Sequence, residues 1–453
     1  MANQIQELYA SMAYPAMSHP LSDPAVSAVA ASIGGLAVRH PARARILEIG
    51  CCSGLNLIPL ALRWPASHCV GIDLAAPSIA AARELATIAG ATNIEFQTVD
   101  LRNFQPADGG FDFIIAHGFF SWVPDVVKAA LLDFCARNLT PTGIATISFN
   151  LEAGWLPRQP VIAKARAIQH AGAGEITTAL AILRTVTALD SPELPLIDDM
   201  LAKGPAILAF DDFGPINDPW PLDRLVHTAA AAGLRWLGES HPANNLPANL
   251  DPQTLTKLHH DFPDPLDFHC AADVATARTF RSAVWCRSDA PLTACHDLKQ
   301  VFRWALRSGP ESLAVADLEM FKTIAGGGHE CRPAGEVLGA GSAGDWQQDA
   351  RRIYAGVMAG WLLPRIEAVR FEAEPPARPT LNSLRLECAR RGWPVVDIWH
   401  QPCSFPAGHY AVLVAMDGSR DQEALAAVAR HACPELDFTP WLRHLAGRGL
   451  FTC

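Results

Sequence analysis

The chain has 453 residues, half of them apolar, and a formal net charge of −10. Its length calls for two or three domains with sizeable cores. The acidic balance argues against a general nucleic-acid binder, and 12 scattered cysteines without a Cys-x-x-Cys pair give no support for a zinc ribbon or any other metal site.

Unpaired cysteines fit a reducing cytoplasm. The first residues lack a basic n-region and an apolar h-region, and no apolar run is long enough to span a bilayer, so a cytoplasmic chain is expected. Pro24 to Val38 reads as an amphipathic helix capped by Ser22 or Asp23. From Arg45 onward, strand-like runs at 45–50, 68–73, 94–99, 111–117 and 143–149 alternate with helix-like segments at 55–64, 77–90 and 124–138. Each unit has the size of a βαβ crossover, which predicts a parallel sheet covered by helices on both faces. The rhythm breaks at 156–209, which reads as a helical insertion with Ala-rich periodicity at 161–172 and 175–190. A helix over 221–233 ends at Gly233, and strands near 234–240 and 280–287 are expected to complete the sheet as an antiparallel, hairpin-like edge. From Ala290 the chain reads as helical to about Thr323, Gly-rich over 325–345, helical again over 345–363, stiff over 373–379 and helix-rich over 381–453.

The segment Glu48-Ile49-Gly50-Cys51-Cys52-Ser53-Gly54 carries the chemistry. A short apolar run stops at small residues, with a helix expected from Leu55 or Asn56. This is how a buried strand delivers backbone close to a ligand. Asp73 ends the second strand-like run, so a nucleotide-type cofactor is expected across the first two strands. A dinucleotide site wants G-x-G-x-x-G and a phosphate cradle. Here the spacing is Gly50-x-Cys52-x-Gly54 with Glu48 in front, and the pattern resembles the motif of class I S-adenosyl-L-methionine (SAM) methyltransferases. The resemblance implies a cofactor site made by Glu48, Gly50, Cys51, Cys52, Gly54, Asn56, Asp73, Leu74, Asp100, Leu101 and His117. Asp73 would accept from the ribose hydroxyls and Asp100 from the adenine amine, with His117 at the end of the fourth strand beside the reactive methyl. Cys52 stands where that family usually has Gly. The bland alternative is a Rossmann-like domain with an incidental glycine turn.

Further patterns run most of the chain's length: Tyr14-Pro15, Ser18-His19-Pro20, His117-Gly118-Phe119-Phe120-Ser121-Trp122-Val123-Pro124, Gly154-Trp155, Asn217-Asp218-Pro219 and Asp417-Gly418-Ser419-Arg420-Asp421. They resemble bacterial methyltransferases with a regulatory domain, a group that includes lysine methyltransferases of outer-membrane proteins. That likeness implies an α/β, Rossmann-like class I domain with a seven-stranded sheet, a helical insertion, and helix-rich, winged-helix-like C-terminal domains. The expected division is 1–155 and 210–289 for the SAM-binding domain, 156–209 for the insertion, 290–375 for a helical middle domain and 376–453 for the last. The sequence departs from the family at Phe149 and Glu152, where Tyr is usual, at Ala153, where Pro is usual, and at Phe210, where a His is usual.

His117, Tyr14 and Trp122 are the expected catalytic residues. His117 would orient or deprotonate the acceptor, Tyr9 and Tyr14 would hydrogen-bond its amine, and Trp122 and Trp155 would wall the site. Against these stand plainer roles: a strand cap for His117, turn packing for Tyr14 and core anchoring for the tryptophans. Asp211 and Asp212 read either as an acidic surface for a cationic acceptor or as a solvated loop. The expected function is transfer of a methyl group from SAM to a protein lysine. The alternatives are an N- or O-methyltransferase for a small molecule and a SAM-binding regulator without catalysis. No nucleic-acid partner and no membrane insertion are expected, and the insertion is a candidate homodimer surface.

Overall fold

The protein was analysed as a computed structural model. The structure describes residues 14–106, 109–245, 247, 250–293 and 374–451, and between 293 and 374 residues 303–306, 332–333, 356–357, 362–367, 369, 371 and 372. Tyr9 therefore lies outside the described residues. So does most of the 294–323 stretch, the glycine-rich stretch and the helix expected over 345–363.

Arg45–Ile49 (β1), His68–Asp73 (β2), Ile94–Thr98 (β3), Phe111–Ala116 (β4) and Leu139–Asn150 (β5) form the parallel part of a sheet. Leu234–Glu239 (β6) and Phe280–Arg287 (β7) complete it, in the order β3-β2-β1-β4-β5-β7-β6. β7 lies antiparallel between β5 and β6. The late pair is an antiparallel edge as expected, but Pro252–Asp261 and Pro265–Ala275 form helices between its strands, so it is no hairpin. Strand order reverses at β1, between β2 and β4. In doubly wound sheets that switch point opens a crevice at the carboxyl ends of the strands.

Alternation along the strands fills two cores. Ile46, Phe113, Ile115 and Ile144 face one side, with Leu47, Ile49, Ile114 and Ile147 on the other. Pro24–Ile33 (α1) packs on the first side. Asp23 caps it by accepting from the Ala25 N–H at 2.9 Å, whereas Ser22 Oγ donates to the His19 carbonyl. The expected amphipathic face is absent, because every residue from Pro24 to Ala31 is buried. The sheet covers one side of α1, and Leu362–Arg365 (β10) closes over another, with the Ile366 N–H donating to the Ala25 carbonyl.

The insertion holds Gln159–Ile168, Ile176–Val186 and Leu194–Leu201, three helices around their own core of Val161, Leu180, Leu183, Ile197 and Met200. Arg303–Leu306 (β8) is a strand where helix was expected. It pairs antiparallel with β10 and with Arg332–Pro333 (β9), and cross-strand pairing outweighs its local helical pattern. The last module holds helices Ser383–Arg390, Ala407–Val414, Gln422–Ala432 and Phe438–Gly447, and a short pair, Val395–Val396 with Pro402–Cys403. Leu381, Leu384, Val395 and Leu413 of this module join the core on the α1 side of the sheet. No helix among the described residues is long and apolar enough to cross a membrane. No group of three or more His, Cys, Asp or Glu among them is arranged to hold a metal.

Candidate functional site

The crevice over β1, β2 and β4 is a cavity of about 980 Å³, enough for a cofactor with part of an acceptor. All eleven expected cofactor residues except Gly54 line it, and Tyr14, Trp122 and Trp155 line it too. Gly54 supports the turn from behind.

The turn after β1 is held by its own hydrogen bonds. The Gly50 and Cys51 N–H groups both donate to the Ile72 carbonyl, and the Gly54 N–H donates to Cys51. Gly50 and Gly54 have φ of 75° and 77°, and a Cβ on Gly54 would lie 2.7 Å from the Phe96 ring. Helix begins only at Ile58, later than expected. The Gly50, Cys51 and Gly54 N–H groups are thus committed within the fold and are not offered to a phosphate. Two carboxylates at the site would also repel a pyrophosphate.

Cys52 shares the left-handed backbone of its glycine neighbours, at φ 48°. An L-residue there costs about 1–2 kcal/mol. Its N–H donates to Asp73 Oδ2 at 3.0 Å, and burial pushes its thiol up to about 11, so it is not a thiolate at neutral pH. We expect Cys52→Gly to raise stability by about 1 kcal/mol in urea unfolding. A loss of stability would mean that the Cys52 side chain contributes packing that outweighs the backbone strain.

Glu48 and Asp73 have the acceptor chemistry an amino-acid nucleoside requires. Glu48 Oε1 accepts from Asn56 Nδ2 at 2.6 Å, while Oε2 is buried without a partner. Burial pushes this carboxyl up to about 8, against the Asn56 hydrogen bond, and the neighbouring Asp73 charge adds to the rise. A cationic ammonium is what such an oxygen lacks. Asp73 is also raised by burial, opposed by the backbone N–H groups it accepts from. Its Oδ1 accepts from Ala75 N–H at 2.8 Å and its Oδ2 from Cys52 N–H. Each oxygen keeps a lone pair for a hydroxyl. Leu74, 55% exposed, sits in the cavity wall with Val99 and Leu101, an apolar slot for a base. Asp100 is less available, since both its oxygens accept from Arg102, at 2.6–3.2 Å. The residues present fit SAM.

At the other end, His117 is stacked on His19, with ring centroids 4.1 Å apart, and its Nδ1 has no partner. Burial, helped by His19, holds His117 well below the usual imidazole range. Burial likewise lowers His19 to about 4. Both rings are neutral at pH 7. Tyr14 packs edge-on against Phe210 at 5.2 Å, and burial beside Asp211 pushes its hydroxyl far up. Trp122 and Trp155 meet edge to face at 6.2 Å, and the Trp155 indole N–H donates to the Thr279 carbonyl. Phe149 is buried against Phe120 in the core, so the hydroxyl missing at this position would have faced apolar side chains.

Three insertion residues that sequence reasoning did not single out complete this end, together with Asp211. Arg158, Asp199 and Lys203 reach in from the insertion. Arg158 pairs with Asp199 at 2.8 Å and Asp212 at 3.4 Å, and Lys203 with Asp212 at 2.6 Å. Asp211 lines the cavity with its carboxyl pushed up to about 6, by burial and by Asp212 against the pull of Lys203. His19 carried a sequence signal in Ser18-His19-Pro20. The insertion residues carried none, because only folding brings them to the crevice.

Residues 46–143 match the family model described as a methyltransferase domain, and residues 204–287 the one described as a predicted methyltransferase regulatory domain. An uncharacterized protein of Rickettsia prowazekii (strain Madrid E) is 36% identical over 147 residues, 32% of this chain and 27% of that one. Trans-aconitate 2-methyltransferase of Azoarcus sp. (strain BH72) is 33% identical over 104 residues, 23% of this chain and 38% of that one. The chain thus spans well under half the length of these two curated relatives. Among solved structures, PKMT2 from Rickettsia typhi superposes with a TM-score of 0.81 at 17% identity, covering 97% of this chain and 98% of that one. The same protein in complex with AdoHcy gives 0.78 at 18% identity, covering 93% and 92%. That likeness is one of fold, and it extends through the C-terminal module.

Proposed function

We propose that this chain, which carries a class I methyltransferase domain with SAM as its cofactor and a methyltransferase regulatory domain behind it, methylates the side-chain amine of a protein lysine. The observation that carries the choice of acceptor is the make-up of the cavity end beyond Glu48 and Asp73. There, two indoles and a tyrosine share the cavity wall with Asp211, while Arg158 and Lys203 are already neutralised by Asp199 and Asp212. Aromatic faces with a carboxylate suit an ammonium and the amine it becomes. The sequence patterns that resemble lysine methyltransferases of outer-membrane proteins favour the same acceptor, and the fold is shared along the chain with PKMT2 from Rickettsia typhi.

When bound, SAM supplies a sulfonium methyl whose departing thioether is neutral, so the protein need provide no acid. The chain's task is to hold an unprotonated amine in line, which is mostly a matter of positioning. Tyr14, whose hydroxyl stays protonated, would accept from or donate to the amine. His117 is too weak a base to take its proton, so its role in this reading is orientation by Nδ1. Asp211, the acceptor-end group with a value nearest neutrality, would hold the incoming ammonium and receive its proton. Trp122 and Trp155 would exclude water from the amine. The domain division expected from the sequence belongs to the same reading.

A small-molecule acceptor is the second reading, favoured by the presence of Arg158 and Lys203 in the lining and by the partial likeness to trans-aconitate 2-methyltransferases. Methyl-labelled SAM incubated with the protein and host lysate or outer-membrane fractions separates the two. Label in protein lysine supports the first reading. Label confined to a small metabolite reverses the order.

A further inference from the structure

One hydrogen-bonded chain leads from the C-terminal module into the cofactor turn. His400 is fully buried, and its Nε2 lies 2.8 Å from Asn56 Oδ1 across 344 positions of sequence. Asn56 Nδ2 in turn donates to Glu48 Oε1 at 2.6 Å and to Ser22 Oγ at 3.0 Å.

The direction of this chain is fixed by a backbone group. The His19 N–H points at Asn56 Oδ1 at 2.7 Å, and a backbone N–H can only donate. That atom is therefore the amide oxygen, and His400 must present Nε2–H to it. Burial lowers His400 to about 3, against the pull of Asp23, so the ring stays neutral with one N–H. Its Nδ1 has no partner, which leaves the contact to Asn56 as the hydrogen bond its ring makes.

The loop that carries His400 is built to aim it. His400 has φ 64°, a left-handed backbone uncommon for a residue other than glycine. Asp397 Oδ1 accepts from the Trp399 and Gln401 N–H groups, at 2.9 and 2.8 Å. Ser18 Oγ donates to the His400 carbonyl, and Arg63 Nη2 donates to Ile398 O. Arg63 and Arg365 both pair with the buried Asp23 at 2.9 Å. The loop is thus tied to the methyltransferase domain on several sides, with the imidazole at its tip.

We propose that His400 is a positioning residue for the cofactor site: its Nε2–H holds Asn56 in the rotamer that donates to Glu48, and so keeps the second Glu48 oxygen turned to the cavity for the ammonium of SAM. The C-terminal module thereby completes the binding site of the methyltransferase domain. This rests on the reading of the cavity as a SAM site, but it is independent of the methyl acceptor.

Calorimetry of SAM binding by the full chain tests it. His400→Phe keeps a ring and removes the donor. It is expected to weaken SAM binding about tenfold, the size of one charge-assisted relay lost. His400→Gln restores an N–H and is expected to bind SAM nearly as the parent does. Should His400→Phe fail to fold, His400→Asn, whose shorter amide stops short of Asn56, takes its place. A merely structural role would not move the pH profile. Glu48 is faced by Asn56 and, electrostatically, by Asp73, Cys51, Cys52 and Cys69. With the Asn56 hydrogen bond loosened, the Glu48 carboxyl rises further, so the rise of SAM affinity with pH moves to higher pH. In a cycle with Asn56→Ala, the double variant is expected to be no worse than Asn56→Ala alone. Unchanged affinity and pH profile in His400→Phe overturns the inference, as do equal losses for Phe and Gln or additive losses in the cycle. If the parent chain itself does not bind SAM, the reading of the site fails, and this inference with it.

Discussion

Asp73→Ala is expected to weaken SAM binding about 100-fold in a chain that still folds. Asp73 has two duties at one carboxylate. Its oxygens hold the Ala75 and Cys52 N–H groups, and the residue lines the cavity, where its remaining lone pairs would accept from the ribose hydroxyls. Hydrogen bonds to a charged group contribute about 1.5–3 kcal/mol each, so losing two ribose contacts corresponds to at least two decades of affinity. The backbone duty makes the loss larger, because Cys52 sits at φ 48° with its N–H tied to Asp73. Asp73→Asn separates the two duties. Its amide oxygen still accepts from one N–H, so it is expected to fall between Ala and the parent. Titration calorimetry with SAM reads both variants. Equal affinity for Asp73→Ala and the parent would remove the ribose assignment.

His117→Ala is expected to lower turnover by about 10²-fold while SAM affinity stays near that of the parent, an effect of the size seen when a positioned group leaves the reacting centre. The burial that makes His117 prominent also disqualifies it as the base. Burial, helped by His19, holds its pKa well below the usual imidazole range, which makes it a poor proton acceptor. The pH profile should therefore keep its shape in His117→Ala. Asp211 behaves differently. Its carboxyl must be ionised to hold an ammonium, and burial raises it to about 6. Turnover is then lost as pH falls through about 6, and Asp211→Asn should remove that limb along with most of the activity. A changed acid limb in His117→Ala with an unchanged one in Asp211→Asn would exchange the two roles.

The methyltransferase half was legible because its signals are local. β1 to β4 fall close to the expected residues, and for β1 and β2 the signal is a short apolar run ended by Gly50 or Asp73. The Glu48, Asp73 and His117 positions follow from strand ends, and strand ends meet at the crevice wherever the order reverses. What could not be read locally depends on distant partners. α1 looks amphipathic until β10 covers its outer side. Arg303–Leu306 becomes a strand only by pairing with Leu362–Arg365. Asn56 was expected in the site, but the ring that orients it comes from His400, and nothing near either residue announces the other. The late start of the helix at Ile58 is a smaller case. The Cys51-Cys52-Ser53 turn spends its N–H groups on Ile72 and Asp73 before the helix can begin.

Amino-acid analysis of protein labelled by this enzyme is the most direct test. The parent chain, methyl-labelled SAM and an outer-membrane protein fraction are incubated together, and the labelled protein is hydrolysed to its amino acids. Label is expected as ε-N-methyllysine, strongly reduced by Asp73→Ala and by Asp211→Asn. Label recovered as a base-labile ester or in a small carboxylic acid, with no methyllysine formed, would contradict it.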